Sequence, residues 1–371
     1  MFAILFGVVI LASFYIGLHG RFYLRALKVP VPALVYWPLF WLISCLYILI
    51  RWGMGTRTES LVSTIGAYWL AAISFFLVLF LAFDLIRLAN RIFHFLPKSL
   101  AGRRYTAVTG TLILAVVALI LAYGSWRART PVVTDYTVSV AKPLPKDLTL
   151  ALVSDIHLGG MIQKEGLGEM VDKVNALEPD IIFLAGDILD RWMSVYTDQN
   201  MSEEMRRLEA PLGAFAVAGN HEYFGESVPE FQKLLAADNV RMLIDEVVTA
   251  GGMTIIGRND LRGGFRKTIP ELLAGLSEKQ KNQPLIMMDH QPYHLEEAQA
   301  AGIDLQLSGH THAGQFWPIT FITRFLYEIN YGLLRKGATT IIVTSGYGLW
   351  GPPLRIGSTP EIVRIKLTGK S

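Results

Sequence analysis

Residues 148–157 read LTLALVSDIH: an apolar, strand-forming run stops at Ser154 and is followed at once by Asp155 and His157. In an extended chain side chains alternate faces, so Asp155 and His157 project from the same side of the strand end. The construction recurs downstream. IIFLAGD closes on Gly186-Asp187, AFAVAGNHE on Gly219-Asn220-His221-Glu222, LIMMDHQP on Asp289-His290, and IDLQLSGHTH on Gly309-His310-Thr311-His312. Short apolar runs ended by Gly, Asp, Asn or His, with helical stretches between them, are the punctuation of an α/β domain. The expected buried strands are 148–154, 180–185, 214–218, 284–288, 303–308 and 340–344, with helices over 164–177, 228–236 and 293–301. In such sheets ligands collect at the carboxyl ends of strands, where these polar clusters fall.

A single Asp-x-His at a strand end is ordinarily a turn or capping feature, and a lone His-x-His is only somewhat more telling. Here the clusters follow one another along a single domain and take up five of the eight histidines in the chain, which makes a shared metal site the better explanation. Imidazole and carboxylate donors without thiolate suit Mn, Fe, Co or Zn and argue against a structural zinc site. Two divalent ions close together need a bridging carboxylate and activate a water for in-line attack on phosphorus. Gly186, Gly219 and Gly309 stand immediately before ligand candidates, where a tight turn and close backbone approach are required.

The rest of the chain uses another solvent. Of its 371 residues 52% are hydrophobic, concentrated in the first third, where the runs 2–18, 32–50, 68–88 and 108–126 approach the roughly 20 residues needed to cross a bilayer. They are apolar all round rather than striped, as a soluble helical core would be. The expected organisation is a four-helix transmembrane region over 1–128, a linker over 129–147 containing Pro131, Pro143 and Pro145, and a hydrolase domain over 148–371. Arg21, Arg25, Lys28, Arg87, Arg91, Lys98, Arg103 and Arg104 flank one side of the spans, against Arg51, Arg57, Arg127 and Arg129 on the other. The basic side faces the cytoplasm, so four spans put both termini and the domain outside an inner (plasma) membrane, in a periplasm or its equivalent. Asp84, inside a span, is expected to pair with Arg87 one turn later. A net charge of +3 without a Lys/Arg block does not favour nucleic acid as a partner. The single cysteine, Cys45, excludes an internal disulfide framework.

The ordered set Asp155-x-His157, Gly186-Asp187, Gly219-Asn220-His221, His290 and Gly309-His310-x-His312 resembles the calcineurin-like metallophosphoesterases over about 148–367. The stretches GHTHAGQ at 309–315 and SGYG with a following PLR at 345–355 resemble the tail of their bacterial membrane-associated or exported subgroup. The helical third falls outside the resemblance. It implies a four-layer α-β-β-α sandwich and two divalent ions, manganese foremost, with iron, zinc or cobalt as alternatives. By position, Asp155, His157, Asp187 and His312 would hold one ion, and Asp187, Asn220, His290 and His310 the other, with Asp187 bridging. His221 would be no ligand; it would donate a proton to the leaving oxygen or stabilise charge on the phosphoryl group. Asp190 and Arg191 would stand behind the ligands, while His294 reads as a surface residue and Asp260 as a turn residue.

Between Gln315 and the strand near Thr340, Trp317, Phe321, Phe325, Leu326, Tyr327, Tyr331, Leu333 and Leu334 alternate with Arg324, Arg335 and Lys336, a mixture suited to a bilayer surface. The expected function is a membrane-anchored phosphodiesterase, phosphomonoesterase or pyrophosphatase acting on a lipid-linked or cell-envelope substrate. A catalytically silent metal-binding sensor or scaffold is one alternative, and a cytoplasm-facing hydrolase of nucleotides or nucleotide-linked lipids is another.

Overall fold

The computed structural model describes residues 2–53, 61–95, 102–159, 162–225 and 228–370. The chain divides into two compact units, 1–125 with 351–353, and 126–350 with 354–371. Arg57 and Lys98, which entered the orientation argument, lie outside the described residues.

The first unit is helical: α1 (Phe2–Ala26), α2 (Ala33–Gly53), α3 (Leu61–Phe93) and α4 (Arg103–Ala128). Over the described residues three helices, α1, α3 and α4, are long and apolar enough to span a bilayer, and the described apolar stretch of α2 is Ala33–Leu46. The four helices of the expected N-terminal region are present. Large apolar side chains such as Leu11, Leu34, Leu85 and Leu119 are exposed on these helices, as lipid-facing surfaces require. Asp84 takes other partners than expected. Tyr15 donates to it at 2.8 Å and His19 Nε2 at 3.1 Å, while Arg87 lies 5.6 Å from the Phe83 ring centroid. The packing of α1 on α3 brings Tyr15 and His19 to Asp84 and leaves Arg87 against an aromatic face.

The second unit contains two six-stranded sheets. The strands of the first are β1 (Val132–Pro143), β2 (Leu148–Val153), β3 (Ile181–Leu184), β4 (Ala214–Val217), β5 (Val240–Leu243) and β12 (Glu361–Lys370), in the order β1-β12-β2-β3-β4-β5. The second holds β6 (Glu246–Ala250), β7 (Met253–Gly257), β8 (Leu285–Met288), β9 (Leu305–Ser308), β10 (Gly332–Lys336) and β11 (Thr339–Val343), in the order β10-β11-β9-β8-β7-β6. The helices are α5 (Lys164–Asn175), α6 (Met193–Asp198), α7 (Ser202–Met205), α8 (Val228–Ala237), α9 (Ile269–Ala274), α10 (Glu278–Lys281), α11 (Leu295–Ala300) and α12 (Ile319–Leu326).

Alternation along the strands builds the layers. Leu148, Leu150 and Leu152 of β2 join Phe183, Ile286, Leu305 and Ile342 in a core between the two sheets, while Ala151 and Val153 face outward to Leu167, Met170 and Val171 of α5 and Phe231 of α8. On the far side Ile256 and Met287 pack against Ile269 and Leu272 of α9 and Ala298 of α11. The result is the expected four-layer α-β-β-α sandwich. Each fully buried Leu, Ile or Phe contributes about 1.5–3 kcal/mol, so the central layer holds the two strand systems in fixed relation.

The stretch 129–147, expected as a linker, is largely strand. β1 pairs in parallel with β12 from Val132↔Glu361 to Ser139↔Thr368, and β12 runs antiparallel to β2. β1 is an edge strand, so most of its side chains remain exposed or half-exposed, and the prolines at its ends made it look like a connector. Only Val138 and Val140 are buried. β5, β6, β7, β10 and β12 were likewise not anticipated. β6 and β10 are half-exposed edges, whereas β7 is buried throughout and too short for its period to stand out.

Candidate metal centre

β2, β3 and β4 are mutually parallel, as are β8 and β9, so the carboxyl ends of both groups open toward the same region. The backbone then continues the ladder past the strands: Asp155 N–H donates to Gly186 O at 2.9 Å, His157 N–H to Asp187 O at 3.0 Å, and Gly309 N–H to His290 O at 3.0 Å. At these ends Asp155, His157, Asp187, His310 and His312 all adopt left-handed backbone, with φ of 55°, 52°, 50°, 69° and 49°. Such a conformation costs a non-glycine residue about 1–2 kcal/mol, and it persists where the surroundings over-determine it, commonly at a functional site. Two glycines make room. A Cβ at Gly309 would overlap Ser154 Oγ and the Asp155 carboxylate, and one at Gly219 would overlap Asp187.

All the expected site residues are brought together. His312 Nε2 lies 3.3 Å from Asp155 Oδ1 and 3.0 Å from His157 Nε2. Asp187 Oδ2 lies 3.9 Å from His157 Nε2 and 3.2 Å from His290 Nε2. The side chains form three overlapping groups of mutually close donor atoms: Asp155, His157 and His312; His157, Asp187 and His221; and Asp187, His290 and His310. His290 Nδ1 donates to Ala185 O at 2.7 Å, which leaves Nε2 unprotonated in the neutral ring and free for a cation. That Nε2 and Asn220 Oδ1 are buried without a hydrogen-bond partner. Buried polar atoms without partners are costly, and inward-turned imidazoles beside two carboxylates satisfy that cost when a divalent cation binds. The donor set fits a divalent metal site.

The sequence pattern described as calcineurin-like phosphoesterase matches residues 148–314. An uncharacterized metallophosphoesterase of Campylobacter jejuni is 32% identical over 263 residues, 70% of each chain. The chain belongs to the calcineurin-like phosphoesterase family. A Helicobacter pylori relative, also an uncharacterized metallophosphoesterase, is 32% identical over 231 residues, and the chain spans 62% of its length. A zebrafish (Danio rerio) transmembrane protein with metallophosphoesterase domain is 30% identical over 329 residues, covering 81% of this chain and 74% of that one. That match is longer than the second unit alone, so similarity to this relative reaches into the helical third, while the family pattern itself lies within the domain, as expected. The chain thus combines the phosphoesterase domain with helices of which three, among the described residues, are long and apolar enough to cross a membrane.

Within this calcineurin-like site the electrostatics oppose burial with charge. Burial disfavours ionisation of Asp155, but His312, His290 and His157 outweigh it and hold its carboxyl well below the usual range. Asp187 is held low in the same way, by His290 and His221 against burial. His310 and His312 are pushed down, to about 4 and about 3, chiefly by burial. Burial also acts against a proton on His221, yet Asp187 and Asp190 raise it to about 9. His221 Nδ1 donates to Asp190 O at 2.6 Å, which leaves Nε2 as the nitrogen available to the site.

The site opens into a pocket of about 200 Å³ lined by Asp187, Asn220, His221, His310 and His312, with Thr323, Tyr327 and Trp350. Asp190 stands behind the histidines, its Oδ1 3.5 Å from both His157 Nδ1 and His221 Nδ1. Arg191 lies over the Trp192 ring at 4.9 Å. His294 is exposed, and Asp260 caps a turn by accepting from Arg262 N at 2.8 Å. Two residues were missed. Glu222 accepts from the N–H groups of Gly219, Leu189 and Asp187 at 2.7, 2.9 and 3.1 Å, and burial, then Asp187, pushes its carboxyl up to about 7. Arg355, fully buried, donates to the carbonyls of Ser345 and Gly348 at 2.7 Å, and its Nη2 lies 3.4 Å from His312 Nδ1. Glu222 sits within the Gly-Asn-His-Glu cluster and was legible there. Nothing local marks Arg355 as a neighbour of His312.

Proposed function

We propose that this chain is a membrane-anchored phosphoester hydrolase with a binuclear divalent centre, manganese being the preferred metal. Asp155, His157, Asp187 and His312 would hold one ion, and Asp187, Asn220, His290 and His310 the other. The observation that carries this reading is Asp187 Oδ2, which stands within 4 Å of histidine nitrogens from both groups, 3.9 Å from His157 and 3.2 Å from His290, where a bridging carboxylate belongs. Two such ions supply Lewis acidity toward the phosphoryl oxygens and generate the nucleophile from water. His221, with Nδ1 committed to Asp190, presents Nε2 to the pocket to protonate the leaving oxygen or to stabilise charge on the phosphoryl group. Glu222 ties the Asp187 and Asn220 loops together and so orients both ligands.

The substrate in this proposal is a phosphomonoester, phosphodiester or pyrophosphate carried on a lipid or envelope precursor. Support comes from α12. Its Ile319 and Thr323 line the pocket together with Tyr327 just beyond its end, while Phe321, Ile322, Phe325 and Leu326 are exposed to solvent, Phe325 at 76%. A compact run of exposed apolar side chains beside an active site suits an acyl chain or a bilayer surface. Leu333 and Leu334 of the same segment instead pack inward from β10. With α2 counted as a span, the flanking arginines and lysines favour an extracytoplasmic catalytic unit, and a reporter fused to the C-terminus decides that point.

The deciding experiment is metal analysis of the purified full chain with hydrolysis of an aryl phosphodiester and an aryl phosphomonoester. Turnover stimulated by manganese, abolished in Asp187→Ala and strongly reduced in His221→Ala with metal retained, is the expected result. A wild type that binds two ions and cleaves neither these esters nor a phosphorylated lipid would instead indicate a metal-binding sensor.

A further inference from the structure

The helical unit contains polar groups that anchoring does not require. A cavity of about 560 Å³ lies between the C-terminal half of α1, the C-terminal half of α3 and the N-terminal half of α4. Its inner wall carries Asp84 with its donors Tyr15 and His19 at 2.8 and 3.1 Å, and the His19 ring stacks on Phe80 with centroids 4.4 Å apart. Arg25, Arg87 and Arg103 also line it. Arg25 is next to the last residue of α1 and Arg103 is the first residue of α4, which places these guanidinium groups at headgroup depth, with His19 about 9 Å further along the α1 axis.

Ionisable groups inside a bilayer are expensive and are retained where they face a cavity or a partner. Asp84 is satisfied by a phenol and an imidazole, and among the described residues no carboxylate lies at ion-pair distance from Arg25, Arg87 or Arg103. Three cations therefore meet one anion that is already hydrogen-bonded, and the cavity carries a positive excess. Guanidinium groups bind phosphate through paired N–H donors. Leu18, Phe22, Phe80, Phe83 and Ile113 supply an apolar part of the lining beside Tyr23, Thr106 and Thr109, and the volume lies in the range of small-molecule sites.

We propose that this cavity binds the phosphate headgroup of an anionic membrane lipid, with Arg25, Arg87 and Arg103 holding the phosphate, Tyr15 and His19 beneath it, and the first acyl carbons against the aromatic wall. The bundle is then a lipid-binding element as well as an anchor. This site is separate from the metal centre and does not depend on its activity.

Native mass spectrometry of the full chain, released from micelles containing equimolar phosphatidylglycerol and phosphatidylcholine, tests it. The wild type is expected to retain one phosphatidylglycerol in preference to phosphatidylcholine. Arg87→Gln with Arg103→Gln should reduce that preference about twenty-five-fold, since each arginine near an anionic lipid contributes about fivefold, while Arg91→Gln, which does not line the cavity, should keep it. Retention through a challenge with millimolar inorganic phosphate identifies the lipid as the ligand; displacement identifies free phosphate as a ligand of the same site. Equal retention of both lipids by the wild type, or an unchanged preference in the double variant, overturns the proposal. If the double variant does not fold, the wild-type competition alone decides.

Discussion

His157 and His312 turn their Nε2 atoms toward each other across 3.0 Å, one ring from the end of β2 in the first sheet and the other from the end of β9 in the second. Two neutral imidazoles form one hydrogen bond there at most, and the nearby Asp155 and Asp187 carboxylates add negative charge. A divalent cation satisfies all four groups at once, and it links the two sheets.

Metal loading should therefore stabilise the protein. At a metal concentration about a hundred times Kd, linkage contributes about 2.7 kcal/mol, or a rise in Tm of at least about 5 °C for a domain of this size. Thermal unfolding of the chelator-stripped protein with added Mn, Fe, Co or Zn measures this. Asp187→Ala should lose the rise, and a wild type unmoved by all four metals would refute the assigned centre.

Metal affinity should fall with acidity. Burial opposes a proton on His290, but Asp187 and Asp155 overcome it and hold its pKa well above the ordinary imidazole value. In the metal-free site the proton is thus bound at neutral pH and must leave when a cation takes Nε2. Lower pH favours the protonated form, so manganese affinity should weaken about tenfold per pH unit for each proton displaced. Calorimetric titration in buffers of different ionisation enthalpy reports the protons released. A pH-independent affinity with no proton release contradicts the assignment of His290 as a ligand.

Removing Glu222 should damage the site from behind. Its carboxylate receives three buried N–H groups, from Gly219, Leu189 and Asp187, and each buried donor left unpaired costs about 1–3 kcal/mol. Glu222→Ala should lower unfolding stability by about 3 kcal/mol and weaken metal binding at Asp187 by about 10–100-fold, as loss of a ligand-orienting partner does. Urea unfolding and metal titration check both. Wild-type behaviour in each would mean that the Asp187 and Asn220 loops hold their shape without it.

The exposed face of α12 should matter only for a substrate presented in a membrane. Phe325 and Leu326 are 76% and 66% exposed, and replacing both with Asp leaves the pocket lining intact. Burying a side chain of this size in lipid contributes about 1.5–3 kcal/mol, so turnover of a phosphorylated lipid in vesicles should fall at least about tenfold, through KM. Cleavage of a soluble aryl ester should not change. Equal effects on both substrates would remove α12 from lipid recognition.

Much of the site was legible because each of its clusters is local. Asp155-x-His157, Gly219-Asn220-His221 and Gly309-His310-x-His312 each announce themselves by residue type at the end of an apolar run, and alternation along such a run tells which faces are buried. β1 and β12 were not legible. They are far apart in the chain: β1, whose side chains are mostly exposed, becomes strand through its hydrogen bonds to β12, and β12, with Ile362, Val363, Ile365 and Leu367 buried, is fixed between β1 and β2.

The sequence by itself determined the two solvents of this chain, the α/β character of its second part and the identity of the clustered donors, because composition, periodicity and residue type are properties of short segments. The tertiary structure alone decided the remainder: that His157 meets His312, that Asp187 stands between two histidine groups, that Arg355 backs His312, and that Asp84 pairs with Tyr15 and His19 rather than Arg87. Those relations depend on how sheets and helices pack, and packing energy is distributed over many distant residues that no local pattern encodes.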